Sequence, residues 1–133
     1  MLENFKSLGL SDETAKTLHS KGFEEPTEIQ VKTIPVLMNE EVDVVGQAQT
    51  GTGKTAAFGL PLVEKLEKDS KKVQALILVP TRELAIQVSE EINSFRGKKK
   101  LHILPIYGGQ SMTDQLRRLS KNADIIVGTP GRI

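Results

Sequence analysis

Residues 48–55 read Ala-Gln-Thr-Gly-Thr-Gly-Lys-Thr, directly after an apolar run at residues 42–45 and directly before a stretch with helical spacing. This order of strand, glycine-rich loop and helix is the arrangement that a phosphate-binding loop requires. The glycines let backbone N–H groups turn inward around a polyphosphate, and the following helix directs the positive end of its dipole at the same anion. We therefore expect the chain to bind a nucleoside triphosphate.

Two side chains of this loop have predicted chemical roles. Lys54 reaches the β and γ phosphates, and Thr55 offers its hydroxyl to Mg²⁺. The general pattern has glycine at the first position, where this chain has Ala48. The alternative interpretation is a Gly-Thr linker, but a linker is not normally followed by apolar residues at steps of four. Here the loop is followed by Phe58, Leu62 and Leu66.

Length and composition limit the classes of protein to which the chain can belong. Its 133 residues suit one domain, and 38% hydrophobic with 26% charged residues is ordinary for a globular protein. No apolar stretch approaches the ~20 residues of a membrane span, and the N-terminus has no secretory pattern. The absence of cysteine fits a cytoplasmic location, and the spacing of His19 and His102 predicts no metal site. A net charge of +1 argues against a protein that coats DNA.

Helical and apolar patterns alternate along most of the chain. Helices are predicted from Ser11 and Thr27, the second of them ended or kinked at Pro35. Alternation after residue 40 predicts an α/β fold, a parallel sheet covered by helices, with strands buried on both faces. The predicted strands are 42–46, 73–79, 101–106 and 124–128, and the predicted helices between them are 54–66, 82–95 and 111–119. The helix at 82–95 has one predicted core-facing stripe of Leu84, Val88, Ile92 and Phe95.

Residues 22–30 read Gly-Phe-Glu-Glu-Pro-Thr-Glu-Ile-Gln, just ahead of the second helix. Thr27 and Gln30 have the spacing of a Thr-x-x-Gln capping box, which alone could explain both side chains. The amide of Gln30 could also read the edge of an adenine, because it donates and accepts at once. On spacing alone, the helix cap is favoured over the adenine contact.

Short segments rich in threonine, arginine and glycine follow three of the predicted strands. They are Pro80, Thr81 and Arg82, then Gly108 and Gly109, and finally Thr129 and Arg132. The carboxyl ends of parallel strands share one edge of the sheet, where ligands of open α/β sheets bind. Taken singly, the threonines cap helices, the arginines form ion pairs and the glycines make a turn. Three such sites at one edge favour contact with a phosphate backbone.

Taken in order, these segments resemble the front part of the first RecA-like domain of a DEAD-box RNA helicase. The resemblance runs from Phe5 to Ile133, and Ala48 is normal at the first loop position of that family. The ordered set of motifs is far more specific than the phosphate loop alone, and it consists of residues 22–30, 48–55, 80–85, 108–109 and 129–132. The resemblance implies one partial RecA-like P-loop NTPase domain, with N-terminal helices in residues 1–40 and βα repeats in 41–133.

The resemblance also implies a role for individual residues. Gln30 hydrogen-bonds the adenine of ATP, Phe5 stacks near that base, and Thr27 ties this segment to the phosphate loop. ATP and Mg²⁺ are the implied cofactors, with Lys54 and Thr55 catalytic and Thr55 on the metal. The implied nucleotide contacts along the loop are Ala48, Gln49, Thr50, Gly51, Thr52, Gly53, Lys54 and Thr55.

By the same resemblance, the residues after the three strands lie along the path of RNA. A single strand, or one strand of a duplex, is gripped through phosphates and 2′-hydroxyls, which gives tolerance of base sequence. A second RecA-like domain is the other implied partner. The residues concerned are Pro80, Thr81, Arg82, Gly108, Gly109, Thr129 and Arg132.

Thr129 and Pro130 have the pattern of a helix start, yet the sequence stops at Ile133. We therefore expect a truncated domain, ending before the Walker B strand with its Asp-Glu-Ala-Asp segment, and negligible ATP turnover. The strand at 42–46 would then be a poorly paired apolar edge through which two copies could dimerise. The alternative functions are a non-catalytic nucleotide and RNA binder, or another P-loop NTPase.

Overall fold

A computed structural model of the chain describes residues 2–49, 53–67, 72–108, 114, 117 and 123–131. The chain divides into two compact units. The first is Met1–Lys65 with Phe95–Gly97, and the second is Leu66–Ser94 with Lys98–Ile133. None of the described helices is long and apolar enough to cross a membrane.

The described part of the first unit is built from helices. Ser11 begins α2 as predicted, because its Oγ accepts the N–H of Thr14 at 3.2 Å. The same serine donates its own N–H and hydroxyl to Glu64 Oε1 at 2.9 Å each, which joins the start of α2 to the end of α4. The helices are α1 (Leu2–Lys6), α2 (Asp12–Ser20), α3 (Glu28–Asn39) and α4 (Lys54–Lys65).

Pro35 does not end α3, which continues to Asn39, where the side-chain Nδ2 donates to Pro35 O at 2.9 Å. A kink at Pro35, the other predicted outcome, stays a prediction. The apolar residues spaced at steps of four after the loop, Phe58, Leu62 and Leu66, are half-buried, and Leu66 lies one residue beyond α4. A neighbouring face with the same helical spacing is buried instead, because small residues there allow close approach. Its members are Ala56, Ala57, Leu60 and Val63.

Residues 42–46 do not form the predicted strand. Val42 and Val44 are exposed, and Val45 is 100% exposed. A β-strand is defined by hydrogen bonds to a neighbour, and no described segment pairs with this one. The apolar composition of this run is typical of a strand. Composition alone, however, does not supply a second strand with which it can pair.

The second unit contains the sheet. Its strands are β1 (Ala75–Leu78), β2 (Ile103–Ile106) and β3 (Ile125–Gly128), with α5 (Arg82–Phe95) connecting the first two. All pairings are parallel and the order is β1-β3-β2, which confirms the predicted α/β class. The register aligns Leu76, Ile126 and Leu104 across the sheet. The helix predicted over 111–119 lies outside the described residues, apart from Asp114 and Arg117.

Burial within the sheet differs from strand to strand. Ile125 and Val127 of the central strand β3 are fully buried, as predicted. The prediction fails for β1, where Leu76 is 53% and Leu78 58% exposed. Because β1 has a neighbour on one side only, one of its faces is incompletely covered. In α5, Val88, Ile92 and Phe95 are buried as predicted, whereas Ala85 takes the buried place expected for Leu84.

The outer edge of β2 is interrupted by Pro105. Thr129 donates its N–H to Ile106 O at 3.1 Å, and Asp124 donates to His102 O at 2.9 Å. Even-numbered residues of β2 thus direct their backbone groups at β3, and Pro105 faces away. A proline is tolerated at such a position because no ladder bond requires its missing N–H.

Candidate functional site

The start of α3 is joined to the phosphate loop by a single buried amide. Gln30 is 1% exposed, and its Oε1 accepts the backbone N–H of Thr27 at 3.0 Å. Its Nε2 donates to the backbone carbonyl of Gly53 at 3.2 Å. The first bond is one half of the predicted capping box, and the second ties the box to the loop. We call Thr27, Gln30 and Gly53 the amide bridge.

Gly53 has no room for a side chain at this junction. Its φ is +83°, a left-handed conformation that favours glycine. A Cβ added there would lie 2.3 Å from Gln30 Nε2 and 3.3 Å from Thr27 Oγ1. The Thr27 hydroxyl is buried without a hydrogen-bond partner among the described residues. The site therefore leaves one polar group unsatisfied beside the loop, which is unfavourable because buried hydroxyls normally have a hydrogen-bond partner.

The described part of the phosphate loop borders open space. Ala48 and Gln49 line a cavity of about 500 Å³ together with Gln47 and the first turn of α3. Thr50, Gly51 and Thr52 lie outside the described residues. Lys54 and Thr55 are the first two residues of α4, with Lys54 exposed and Thr55 half-buried. The free N–H groups of that first turn suit an anion.

The predicted stacking ring, Phe5, is buried in an aromatic cluster. It is 1% exposed, with its ring centroid 6.3 Å from that of Phe23. Phe23 in turn contacts Phe95 edge-on at 5.9 Å. Phe5 is as buried as Gln30, and contact of either side chain with an adenine stays a prediction. Phe23 was not among the predicted site residues; it is half-buried and lines a cavity of about 530 Å³, and its place directly after Gly22 is the signal that could have marked it as a candidate.

Two residues that line the cavity beside the loop, Glu28 and Lys32, form an ion pair. Lys32 Nζ lies 2.7 Å from Glu28 Oε1, and both side chains are exposed. The hydrogen bond from Lys32, together with its positive charge, holds the pKa of Glu28 below the usual value for a glutamate. No group of His, Asp and Glu side chains suited to a metal occurs in the described parts of the chain. The Mg²⁺ contact of Thr55 stays a prediction.

In the second unit, the segment after β1 has solvent-exposed polar groups. Pro80, Thr81 and Arg82 are all exposed. Thr81 Oγ1 accepts the N–H of Leu84 at 3.2 Å, so this threonine does cap α5. Arg82 Nη2 lies 3.4 Å from Glu83 Oε1, an exposed pair of the kind that is worth little energy. Both groups remain accessible to a ligand.

The register of the sheet brings this segment to the same edge as the two other predicted ones. Leu78, Gly128 and Ile106 are aligned at the carboxyl ends of the strands. Gly108 follows β2 and is exposed, and Thr129 follows β3 and is half-buried. Gly109 and Arg132 lie outside the described residues. We call the described set, Pro80, Thr81, Arg82, Gly108 and Thr129, the sheet rim.

Comparison with known families and proteins gives a consistent result. Residues 27–133 match the family described as DEAD/DEAH box helicase. The chain is 56% identical over 132 residues to the DEAD-box ATP-dependent RNA helicase CshA of Geobacillus kaustophilus. It is 53% identical over 130 residues to the probable ATP-dependent RNA helicase MJ0669 of Methanocaldococcus jannaschii. These alignments cover 99% and 98% of this chain but 28% and 35% of the relatives.

Solved structures agree with the sequence relatives. A DEAD box protein from the hyperthermophile Methanococcus jannaschii superposes with a TM-score of 0.92 at 51% identity, over 97% of this chain and 35% of that one. Dbp5 of S. cerevisiae, bound to RNA and ADP BeF3, gives a TM-score of 0.83 at 34% identity, over 97% and 32%. The chain thus spans about a third of the length of the proteins that it matches.

Proposed function

The chain belongs to the DEAD/DEAH box helicase family, and we propose that it is the ATP-binding part of an ATP-dependent RNA helicase. In the whole protein, ATP binding and hydrolysis are coupled to local separation of RNA strands. The observation that carries this proposal is the amide bridge, because it joins a base-reading side chain to the loop that binds phosphate. The division of labour follows the two units, with nucleotide in the first and RNA in the second.

The triphosphate binds at the loop before α4. Backbone N–H groups of residues 48–53 and of the first helical turn surround the β and γ phosphates. Lys54 neutralises charge on those phosphates, and its side chain is exposed and free to reach them. Thr55 offers its hydroxyl to Mg²⁺, which bridges phosphate oxygens when it is bound. The residues present therefore fit the nucleotide and its metal.

Gln30 has the hydrogen-bonding capacity that adenine needs. A glutamine amide accepts two hydrogen bonds and donates two. One acceptor position is used by Thr27 N–H and one N–H by Gly53 O, which leaves one of each. Adenine offers N6–H and N7, an adjacent donor and acceptor that match the remaining pair. Guanine offers O6 and N7, two acceptors, so the same amide discriminates against it.

Phe23 supplies the ring beside the base in place of Phe5. It is half-buried at a cavity in the same segment, whereas Phe5 is in the core. A tilted contact with Phe5 and an edge-on contact with Phe95 hold the ring in one orientation, which lowers the entropic cost of stacking. Phe5 then acts on the nucleotide only through Phe23.

RNA binds along the sheet rim. The hydroxyls of Thr81 and Thr129 contact phosphates and 2′-hydroxyls, and Arg82 neutralises one phosphate. Gly108 lets the sugar-phosphate backbone of the RNA approach closely, because glycine has no side chain. Gly109 and Arg132, which lie outside the described residues, are proposed to contact the same RNA strand. This mode reads no bases and accepts any single-stranded sequence.

The chain functions in the cytoplasm with a second RecA-like domain, and it associates with a second copy when that domain is absent. The contact between the two copies is formed by residues 42–46. Val45 is 100% exposed there, and an exposed apolar segment readily pairs with another chain. Sedimentation velocity tests this: Val45→Lys shifts the chain to a monomer, whereas Val31→Lys, at another exposed valine of the same unit, does not. A monomeric unsubstituted chain contradicts the association.

Calorimetry of nucleotide binding tests the first half of the proposal. The unsubstituted chain binds ADP more tightly than GDP, and Gln30→Ala weakens ADP binding by about tenfold or more, since an unmatched donor and acceptor remain. Gln87→Ala, at an exposed glutamine of α5, is the matched control and leaves the affinity unchanged. Equal binding of ADP and GDP, or no effect of Gln30→Ala, contradicts the adenine assignment.

Fluorescence anisotropy with a labelled oligouridylate tests the second half. Arg82→Gln weakens binding and lowers the slope of log affinity against log salt by about 0.7, because one fewer counterion is released from a single strand. Lys16→Gln, an equal loss of charge on α2, changes neither. An unaltered salt slope for Arg82→Gln would remove this arginine from the RNA path.

The 133-residue chain itself is expected to hydrolyse ATP negligibly. These 133 residues contain no Asp-Glu-Ala-Asp segment, and hydrolysis is proposed to require an arginine from the second RecA-like domain at the transition state. Such an arginine alone accounts for about 10³–10⁵ in rate. RNA-stimulated phosphate release by this chain, abolished in Lys54→Ala, contradicts that expectation.

A further inference from the structure

A polar cluster around one buried carboxylate joins the amino ends of the three strands, at the edge of the sheet opposite the rim. Asp124 is 2% exposed, and its Oδ1 accepts Gln74 Nε2 at 3.0 Å. Its Oδ2 accepts the backbone N–H of His102 at 2.8 Å. Gln74, His102 and Asp124 immediately precede or adjoin the starts of β1, β2 and β3. One carboxylate thus contacts the entries of all three strands.

The amide of Gln74 is held in a single orientation. Its Oε1 accepts the backbone N–H of Glu67 at 2.9 Å, and its Nε2 donates to Glu67 O at 2.8 Å. A 180° rotation of the amide, which would swap the positions of its oxygen and nitrogen, would therefore break both hydrogen bonds. A backbone hydrogen bond also joins the two residues, since Gln74 N–H donates to Asp124 O at 2.8 Å. We call Glu67, Gln74, His102 and Asp124 the strand clasp.

Apart from Pro105, which must face away from β3, the strands themselves carry little information about their register. Their sequences are Ala-Leu-Ile-Leu, Ile-Leu-Pro-Ile and Ile-Ile-Val-Gly, apolar or small at every position. Register is usually specified by alternation of polar and apolar side chains, which these strands lack. A slip by one residue exchanges one apolar side chain for another. In the clasp, however, the same slip leaves a buried carboxylate without partners, which is strongly unfavourable.

We propose that Asp124 is a positioning residue for RNA binding, because the strand clasp sets the relative register of the three strands and therefore the geometry of the sheet rim. This inference rests on the proposed binding of RNA at that rim. A slip by one residue displaces one rim segment by about 3.3 Å along the strand direction. That displacement exceeds the whole useful range of a hydrogen bond to a phosphate oxygen.

The register can be measured directly, since the chain contains no cysteine and an introduced pair is unambiguous. Leu76 and Ile126 are register partners on neighbouring strands, at a separation that a disulfide can bridge. Ile77 and Ile126 lie on opposite faces of the sheet in the native register, and they become partners only after a slip by one residue. Leu76→Cys with Ile126→Cys therefore reports the native register, and Ile77→Cys with Ile126→Cys reports the slipped one.

Asp124→Asn is the decisive substitution. Because the Gln74 amide is locked, the new amide nitrogen must face a second N–H donor at either Gln74 or His102. We expect the native cross-link yield to fall at least about threefold, and the affinity for oligouridylate to fall about tenfold, as for loss of a charge-assisted bond. Affinity for ADP stays within twofold, because the nucleotide residues belong to the other unit. Gln74→Ala gives the same pattern more weakly and serves if Asp124→Asn does not fold.

Two controls separate positioning from simple destabilisation. Ser89→Ala changes an equally buried polar residue of α5 and alters none of the readouts. Ile92→Val destabilises the same unit without touching the clasp, and lowers the unfolding temperature without changing the cross-link or the RNA affinity. A folded Asp124→Asn chain with native cross-linking and native RNA affinity overturns the inference. An unsubstituted chain that fails to bind RNA overturns the proposed function, and the positioning role with it; the cross-link still reports the register.

Discussion

The first unit is proposed to bind nucleotide through contacts that single side chains make, whereas the second is proposed to bind RNA on a surface that a whole sheet positions. In the first, one amide joins Thr27 to Gly53. In the second, the rim depends on three strands and on Asp124 at their far ends. Local hydrogen bonds suffice for a loop and a helix start, but a surface spread over parallel strands needs a common register. The two units therefore fail in different ways when a residue is changed.

The largest effects are expected from truncating one fully buried side chain in each unit. Leu60→Ala in α4 and Ile92→Ala in α5 each leave a cavity and cost about 2–5 kcal/mol. Native-state hydrogen exchange should show the loss of protection in the unit that carries the substitution. Equal loss in both units from either variant would show that the chain unfolds as one cooperative body.

A smaller effect is expected from adding one methyl group at a glycine of the first unit. Gly53→Ala meets left-handed strain and a Cβ contact of 2.3 Å with Gln30, and should cost about 2–4 kcal/mol with a matching loss of ADP affinity. Gly22→Ala is the matched control, because its φ is +88° but nothing lies within 4 Å of the added Cβ. It should cost about 1–2 kcal/mol, the strain alone. Equal losses in thermal unfolding would mean that the amide bridge tolerates the methyl group.

The two buried hydroxyls without partners give a sharper test of the difference between the units. Thr27→Val and Ser89→Ala each remove a hydroxyl that makes no hydrogen bond among the described residues. Both should change the free energy of unfolding by less than about 1 kcal/mol, and either can stabilise. Only Thr27→Val should weaken nucleotide binding, measured by calorimetry with ADP. A loss of RNA affinity in Ser89→Ala would place a functional group where the second unit has only core.

The smallest effect concerns the exposed pair at the start of α3. Because Lys32 lowers the pKa of Glu28 in the folded chain, the pair stabilises above the ordinary glutamate range. That contribution is lost as the pH falls through the lowered folded value. In an NMR titration, Lys32→Gln should return the Glu28 pKa towards its ordinary value, and Lys16→Gln should leave it unchanged. An unaltered Glu28 titration in Lys32→Gln would show that the ion pair is absent in solution.

Predictions from the sequence succeeded where the deciding interactions are local. Ser11 and Thr27 mark helix starts through contacts within three residues, and both starts were predicted. The parallel sheet followed from alternating patterns, because a helix between two strands requires a parallel crossover. The strand at residues 42–46 failed because pairing depends on a partner elsewhere, which an apolar run does not reveal.

Prediction of site residues has a similar limit. The spacing of Thr27 and Gln30 indicated a cap or an adenine contact, and the hydrogen bond to Gly53 was not foreseeable, because it depends on how loop and helix meet. Phe5 and Phe23 differ in burial, which sequence spacing does not determine. Asp124 was predicted only as part of a strand. Its contacts are with residues far away in sequence, so the apolar pattern around it does not reveal a buried carboxylate that contacts three strands.

Pro105 has a consequence for assembly. A sheet grows when another strand hydrogen-bonds to its outermost backbone groups, and the outer side of β2 lacks one of the donors. Strand addition to this sheet, as distinct from the proposed association through residues 42–46, is therefore favoured on the β1 side alone. Two sheets that paired along their β1 edges would leave only edges that lack a donor, whereas a sheet with two competent edges would polymerise. A single ring of three methylenes thus disfavours fibre growth through this sheet.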